Sequence, residues 1–349
     1  MSLISLLKKK NSKTLFTTPS HGGRFCIFHK FYQWYRNDIS EIDALNPEEA
    51  LEKAEKKASE IYGTKYTKFL TNGSTSGIIS AILASKPKRI LIWDNAHPCH
   101  ENGAKLSGAE IIKYNLHADN ELGVYRAITL NKVQELIEQH KPDTLVITSP
   151  TYEGFVAGVN DIAALCHKNN VTLIVDEAHG ALYPFSDELP QSAVKYADFT
   201  VQSLHKTAGG INPTALLHSN SIDPTEALSM INTTSPSYPM LATIEANINF
   251  LNSSRGGKYI EELIRSIKEL GIRQLNDDPT KILLKGGYEL SDKLFNQYGI
   301  EDERTNEKTT MLLCCIGTDQ AKFERLKKAI KKTGELIRSF SLFLKLFCC

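Results

Sequence analysis

The sequence lacks any pair of cysteines at the spacing of a metal knuckle or a redox motif. Its seven cysteines are Cys26, Cys99, Cys166, Cys314, Cys315, Cys348 and Cys349. The number is odd and no CxxC occurs. This argues against a disulfide framework and a zinc site, so no metal is expected and a reduced, cytoplasmic setting fits. An excess of charge of either sign is also missing: Lys plus Arg is 41 and Asp plus Glu is 40. Such balance removes the electrostatic reason to expect nucleic acid or a charged membrane as partner. No apolar run reaches the roughly 20 residues of a membrane-spanning helix. The N-terminal MSLISLLKKKNSK places its apolar residues before its lysines, the reverse of a secretory signal, and reads as a short docking arm. The apolar segment from Ser339 to Cys349 reads as a packed terminal segment or the end of a shortened chain. There is no GxxxxGK[ST] phosphate loop, which makes a nucleotide-hydrolysing reading poor.

What the chain does have is length and alternation. At 349 residues it is long for one core, so a large domain with a smaller one is expected. Short apolar runs occur at Arg89–Trp93, Glu110–Tyr114, Thr144–Thr148, Val171–Asp176, Phe199–Ser203 and Thr214–His218. Their richness in β-branched residues suits strands buried on both faces. Between them lie helical candidates at Ser76–Ala84, Asn131–His140 and Asp161–Asn169, with a polar helix at Asn46–Tyr62 ahead of them. The alternation predicts an α/β domain with a mostly parallel sheet flanked by helices. Beyond about residue 245 the pattern shifts to helices, Lys258–Leu270 and Gln320–Leu336, around a few apolar runs. The expected division is an N-terminal arm over 1–45, a large domain over 46–245 and a smaller, shortened α+β domain over 246–349.

Ligands of open α/β sheets sit at the carboxyl ends of the strands, and three polar segments fall there. Thr71-Asn-Gly-Ser-Thr-Ser-Gly77 follows an apolar stretch ending at Leu70 and opens a helix. Its backbone N–H groups, with Ser74, Thr75 and Ser76, suit a phosphate; a plain helix cap is the blander reading. Val171-Thr-Leu-Ile-Val-Asp-Glu-Ala-His-Gly180 runs from an apolar strand into Asp176, Glu177 and His179. Val201-Gln-Ser-Leu-His-Lys-Thr-Ala-Gly-Gly210 does the same and brings out Ser203, His205 and Lys206. A surface position is the usual lot of a lysine. Beside a phosphate turn and a strand-terminal carboxylate on one sheet, however, a lysine amine meets the needs of pyridoxal 5′-phosphate (PLP). The phosphate takes the helix terminus, the pyridine nitrogen takes the Asp, and the aldehyde takes the Lys as a Schiff base.

In this order the segments resemble the Orn/Lys/Arg decarboxylase family of PLP fold type I. Thr18-Pro-Ser-His-Gly-Gly-Arg24 is similar to its N-terminal motif, and Phe69–Gly77 to its phosphate loop. Asn95-Ala-His97, Thr148-Ser-Pro-Thr-Tyr-Glu-Gly154 and Asp176–Gly180 resemble its next three motifs. Gln202–Thr207 resembles its lysine motif and Thr233–Tyr238 the segment after it. The resemblance implies that Lys206 binds the cofactor covalently, Asp176 pairs with the pyridinium nitrogen and His97 stacks on the ring. It implies that Ser74, Thr75 and Ser203 hold the phosphate with His205 beside it, and that His179 lies near the ring. It also implies a homodimer or higher homo-oligomer, with the segment around Ser235 reaching a partner's site. The departures are Trp93-Asp-Asn95 before His97, Pro98-Cys99 after it, Ser20 and Gly22 in the first motif, and a shorter C-terminal region.

The activity implied is decarboxylation of a small-molecule substrate, a basic amino acid (lysine, ornithine or arginine). Lys206 or His205 would return a proton to Cα. PLP-dependent transamination or another lyase step, and a catalytically weak PLP-binding relative, are the alternatives. Among the remaining residues, His100, His117, His140, His167 and His218 read as structural and Glu153 as a turn carboxylate. Tyr152 could pack near the cofactor. The aromatics Phe28, Phe31, Tyr32, Trp34 and Tyr35 read as core or dimer contacts, and Cys314-Cys315 as buried thiols.

Overall fold

The computed structural model describes residues 14–16 and 47–343. The motif at Thr18–Arg24, the N-terminal aromatic cluster, the segment before Thr14 and the last six residues lie outside these.

In the large sheet, alternate side chains of each strand serve opposite faces. Strands β2 (Tyr66–Leu70), β3 (Arg89–Trp93), β4 (Glu110–Tyr114), β7 (Thr144–Thr148), β8 (Thr172–Asp176), β9 (Phe199–Ser203) and β10 (Ala215–Ser219) form one seven-stranded sheet. Their order is β2-β10-β9-β8-β7-β3-β4. Pairing is parallel from β9 through to β4, and β10 runs antiparallel to both its neighbours. On one face Ile90, Ile92, Val146, Ile174 and Val201 pack with Ile78, Ala81 and Ile82 of helix α2 (Gly73–Ser85). On the other, Leu91, Leu145, Ile147, Leu173 and Val175 pack with Val133, Leu136 and Ile137 of α4 (Leu130–His140), and with Ile162, Ala163 and Cys166 of α5 (Val159–Lys168). Burial on both faces is why these strands read as continuous apolar runs. Gly77 lets α2 press onto the sheet. A Cβ there would lie 2.7 Å from Leu70 Cδ1 and 2.9 Å from Val201 Cγ1.

Helix α1 (Pro47–Tyr62) precedes the sheet and α3 (Pro98–Ser107) follows β3. The short strands β5 (Ala118–Asp119) and β6 (Val124–Tyr125) form a separate hairpin. Lys206 rides on a single turn, α6 (Leu204–Thr207), and α7 (Thr225–Ile231) follows β10. Two long helices, α8 (Tyr238–Leu251) and α9 (Ser254–Lys268), lead to the second sheet. The boundary expected at residue 245 falls inside α8, a continuous helix that buries Leu241, Ile244, Ile248 and Leu251 along one side. The second sheet has the order β11-β14-β13, from β11 (Lys281–Lys285), β13 (Arg304–Thr305) and β14 (Thr309–Leu313). Helices α10 (Gly287–Tyr298) and α11 (Gln320–Phe343) flank it. Residues Thr14–Leu15, strand β1, pair in parallel with β12 (Ile300–Glu301), and Phe16 is fully buried. A short piece of the expected N-terminal arm thus docks on the C-terminal part. Among the described residues no helix is long and apolar enough to cross a membrane. Cys99, Cys166, Cys314 and Cys315 are buried free thiols.

Candidate active site

The carboxyl ends of β7, β8 and β9 and the first turn of α2 open into one cavity of about 550 Å³. Asp176 ends β8 and is buried. Its Oδ2 lies 2.8 Å from His100 Nε2, and its Oδ1 accepts from the Ala178 amide at 3.1 Å. Burial opposes the charge of Asp176. The hydrogen bond and charge of His100, with the nearby Lys206 and the Ala178 amide, outweigh it and hold the carboxyl below its usual range. Asp176 is thus a buried carboxylate kept ionised by its neighbours.

Lys206 follows β9 directly. The turn that carries it is tied by Leu204 N to Thr214 O and by Gly210 N to Leu204 O, both at 3.1 Å. A Cβ at Gly210 would meet Thr214 Oγ1 at 2.5 Å and the Leu204 backbone carbon at 3.0 Å, and Gly209 has a φ of 90°, which together explain the Gly-Gly after the lysine. Burial lowers the pKa of Lys206, with Asp176 opposing. Its Nζ sits 3.2 Å from His179 Nε2. Burial, with the Lys206 charge next, pushes the His179 imidazole well below its usual range, so it is neutral. An amine with a depressed pKa beside a neutral base is a nucleophile ready to attack a carbonyl.

The other expected residues divide. Ser74 and Thr75 line the cavity at the first turn of α2, where the Asn72 cap makes no side-chain hydrogen bond. Ser76 does not reach it: its buried hydroxyl turns back 2.9 Å onto Gly73 O. His97 caps α3, accepts from the Cys99 amide at 3.3 Å and lines the cavity; burial lowers its pKa. His205 lines it too, with Nδ1 3.1 Å from Thr214 O, and burial lowers its pKa as well. Ser203 is fully buried behind the wall and its Oγ has no partner among the described residues. The segment Thr233–Ser235 is exposed and is not part of this wall.

Two expectations need correction. His100, read as structural, is the partner that holds the charge of Asp176. The available signal was its place three residues after His97, on the same side of a helix start. Glu153, read as a turn carboxylate, lines the cavity beside Tyr152, and Arg304 of β13 joins them. Tyr152 stands edge-on to His179, ring centres 4.9 Å apart. No local signal marks Arg304, because it arrives from a separate sheet. The structural reading of His218 stands: it is fully buried, 2.9 Å from Thr67 Oγ1, with burial pushing its pKa down to about 3. Among the described residues no three His, Cys, Asp or Glu side chains converge to hold a metal.

This donor set fits PLP. Asp176 suits the pyridine nitrogen, Lys206 the aldehyde, and the first turn of α2 with Ser74 and Thr75 the phosphate. Thr148 Oγ1 and His179 Nδ1, both on residues of the wall, have no partner among the described residues and offer further polar contacts. The profile of the family described as Orn/Lys/Arg decarboxylase, major domain, matches residues 5–284.

The chain belongs to the Orn/Lys/Arg decarboxylase family.

Its cofactor is pyridoxal 5′-phosphate and its enzyme class is that of the PLP-dependent amino-acid decarboxylases. It is 28% identical over 376 residues to an arginine decarboxylase of Bacillus subtilis, covering 94% of this chain and 76% of that one. The constitutive lysine decarboxylase of Escherichia coli superposes with a TM-score of 0.70 at 21% identity, over 91% of this chain and 56% of that one. A structure of SPT with PLP superposes with a TM-score of 0.68 at 16% identity, over 93% of this chain and 88% of that one. Both structural likenesses place the chain in the PLP fold-type-I class.

Proposed function

We propose that this decarboxylase acts on a basic amino acid, arginine first among lysine, ornithine and arginine, releasing CO2 and the corresponding amine. The likeness to the Bacillus arginine decarboxylase over 94% of the chain supports arginine. The observation that carries the reaction class is the convergence of Lys206, neutral His179 and ionised Asp176 in one cavity.

Bound PLP supplies an electron sink for the charge left on Cα when CO2 departs. Asp176, held ionised by His100, would keep the ring nitrogen protonated, and the N-terminal turn of α2 would hold the phosphate. Lys206 Nζ would hold the cofactor's aldehyde carbon and, once free, would carry the proton returned to Cα. His179, 3.2 Å from that nitrogen, is placed to exchange a proton with it. His205, the other expected donor, has its Nδ1 3.1 Å from Thr214 O and lines the same cavity, where it would stand beside Lys206 as a second proton donor.

The test is mass spectrometry of the products after the PLP-loaded protein meets each amino acid separately. An amine and CO2 are expected; an oxo-acid without CO2 would point to transamination. Lys206→Ala should remove the borohydride-reducible link to the cofactor, and a link that persists refutes the assignment. We further infer a cytoplasmic homodimer, with a large domain and a smaller C-terminal one joined through α8. Exposure of Thr233–Ser235, away from the chain's own cavity, supports pairing. Light scattering on the purified protein checks it.

A further inference from the structure

One wall of the cavity is built from both sheets. Its loop, Thr151–Phe155, follows β7 and is gripped from the C-terminal part. Lys281 Nζ donates to Thr151 O at 3.0 Å, Asn276 Nδ2 donates to Glu153 O, and the Asp277 and Asp278 amides donate to Gly154 O at 3.0 Å. The loop presents Tyr152 and Glu153. Tyr152 OH donates to Glu303 Oε1 at 2.8 Å. Arg304 lays its guanidinium 4.8 Å over the Tyr152 ring, with Nη1 3.3 Å from Glu153 Oε1.

We propose that Glu153 and the Tyr152 ring form the subsite for the substrate's distal cation, and that the Arg304 guanidinium occupies it until substrate displaces it. The inference rests on the basic-amino-acid reading given above. A planar guanidinium on an aromatic face, with a carboxylate at its edge, is the arrangement that recognises a guanidinium ligand. The Glu153 side chain is only 12% exposed, so it loses much by standing unpaired; Arg304 is 52% exposed and can swing into water at little cost. A substrate guanidinium restores the pair that Arg304 gives up.

The succession of contacts leading away from the reacting nitrogen orients the substrate. From Lys206 the contacts run through the His179 ring to Tyr152 and only then to Arg304. The α-carboxylate shares its carbon with the reacting amine and stays beside Lys206. The end of a long side chain reaches two ring layers further, to Glu153.

The experiment is a spectral titration of the PLP-loaded, full-length protein, read from the cofactor absorbance. Ligands are arginine, its decarboxylated amine, and norleucine, which has a long side chain without a cation. Arg304→Ala should tighten arginine and the amine together by several-fold. Glu153→Gln should weaken both by about tenfold, the effect of losing one charged partner. Norleucine should respond to neither. If Arg304→Ala weakens arginine and leaves the amine unchanged, Arg304 is a carboxylate anchor and the proposal is overturned. It is equally overturned if Glu153→Gln weakens norleucine as much as arginine. The functional reading fails separately, if the unaltered protein binds PLP yet neither responds to nor decarboxylates any basic amino acid; the subsite fails alone if arginine is turned over with no dependence on Glu153.

Discussion

Replacing His100 by Ala tests the electrostatic core of the site. His100 never touches the reacting atoms; it acts through Asp176, which makes it a positioning residue. Its Nε2 lies 2.8 Å from Asp176 Oδ2, and both groups are buried. A hydrogen bond to a charged group contributes about 1.5–3 kcal/mol. At 1.4 kcal/mol per factor of ten, that weakens the ionisation of Asp176 by about tenfold to 150-fold, a rise of about one to two pH units in where it titrates. Burial, the largest influence on this carboxyl, then acts unopposed by its main partner and drives it toward the neutral acid. A neutral Asp176 cannot keep a proton on the ring nitrogen. The assay is kcat with its pH profile in PLP-saturated protein. His100→Ala should displace the acid limb of the profile upward by about one to two pH units, with kcat falling chiefly on that acid side. His100→Gln, which retains a donor, should recover part of both. A wild-type kcat and profile in His100→Ala would refute the reasoning.

Glu177 points away from Asp176 into a buried polar cluster, accepting from Ser192 Oγ at 2.6 Å, the Ala193 amide at 2.8 Å and Gln202 Nε2 at 2.6 Å. Burial raises its carboxyl to about 7. A raised acid favours the fold while neutral, so this contribution is full below its unfolded value, lost as pH rises through about 7, and amounts to about 3 kcal/mol. Melting of the apoprotein should drop between the carboxyl's ordinary value of 4.5 and about 7 and level off above, and Glu177→Gln should flatten that dependence. Gly77→Ala should destabilise by about 1–3 kcal/mol in urea unfolding, because its Cβ would crowd Leu70 and Val201.

Local sequence sufficed for the strands and for the central pair of residues. Runs such as Thr144–Thr148 and Phe199–Ser203 are short, β-branched and bounded by polar turns, and they appear as strands with those bounds. Asp176 and Lys206 stand where such runs end, and strand ends on one parallel sheet are near one another whatever the loops do. Local sequence did not show that Ser76 turns back on its own helix, since a hydroxyl in a first turn has the same signature either way. Nor did it show His100 against Asp176, or Arg304 against Glu153. These pairs are separated by 76 and 151 positions, and no periodicity or turn chemistry reports on such distances. Residue type and spacing determined which groups could do the chemistry. Only tertiary packing decided which carboxylate stays charged, by setting α3 beside the end of β8, and which cation meets the far end of the cavity, by setting the second sheet on the first, because burial and proximity are properties of the assembled fold.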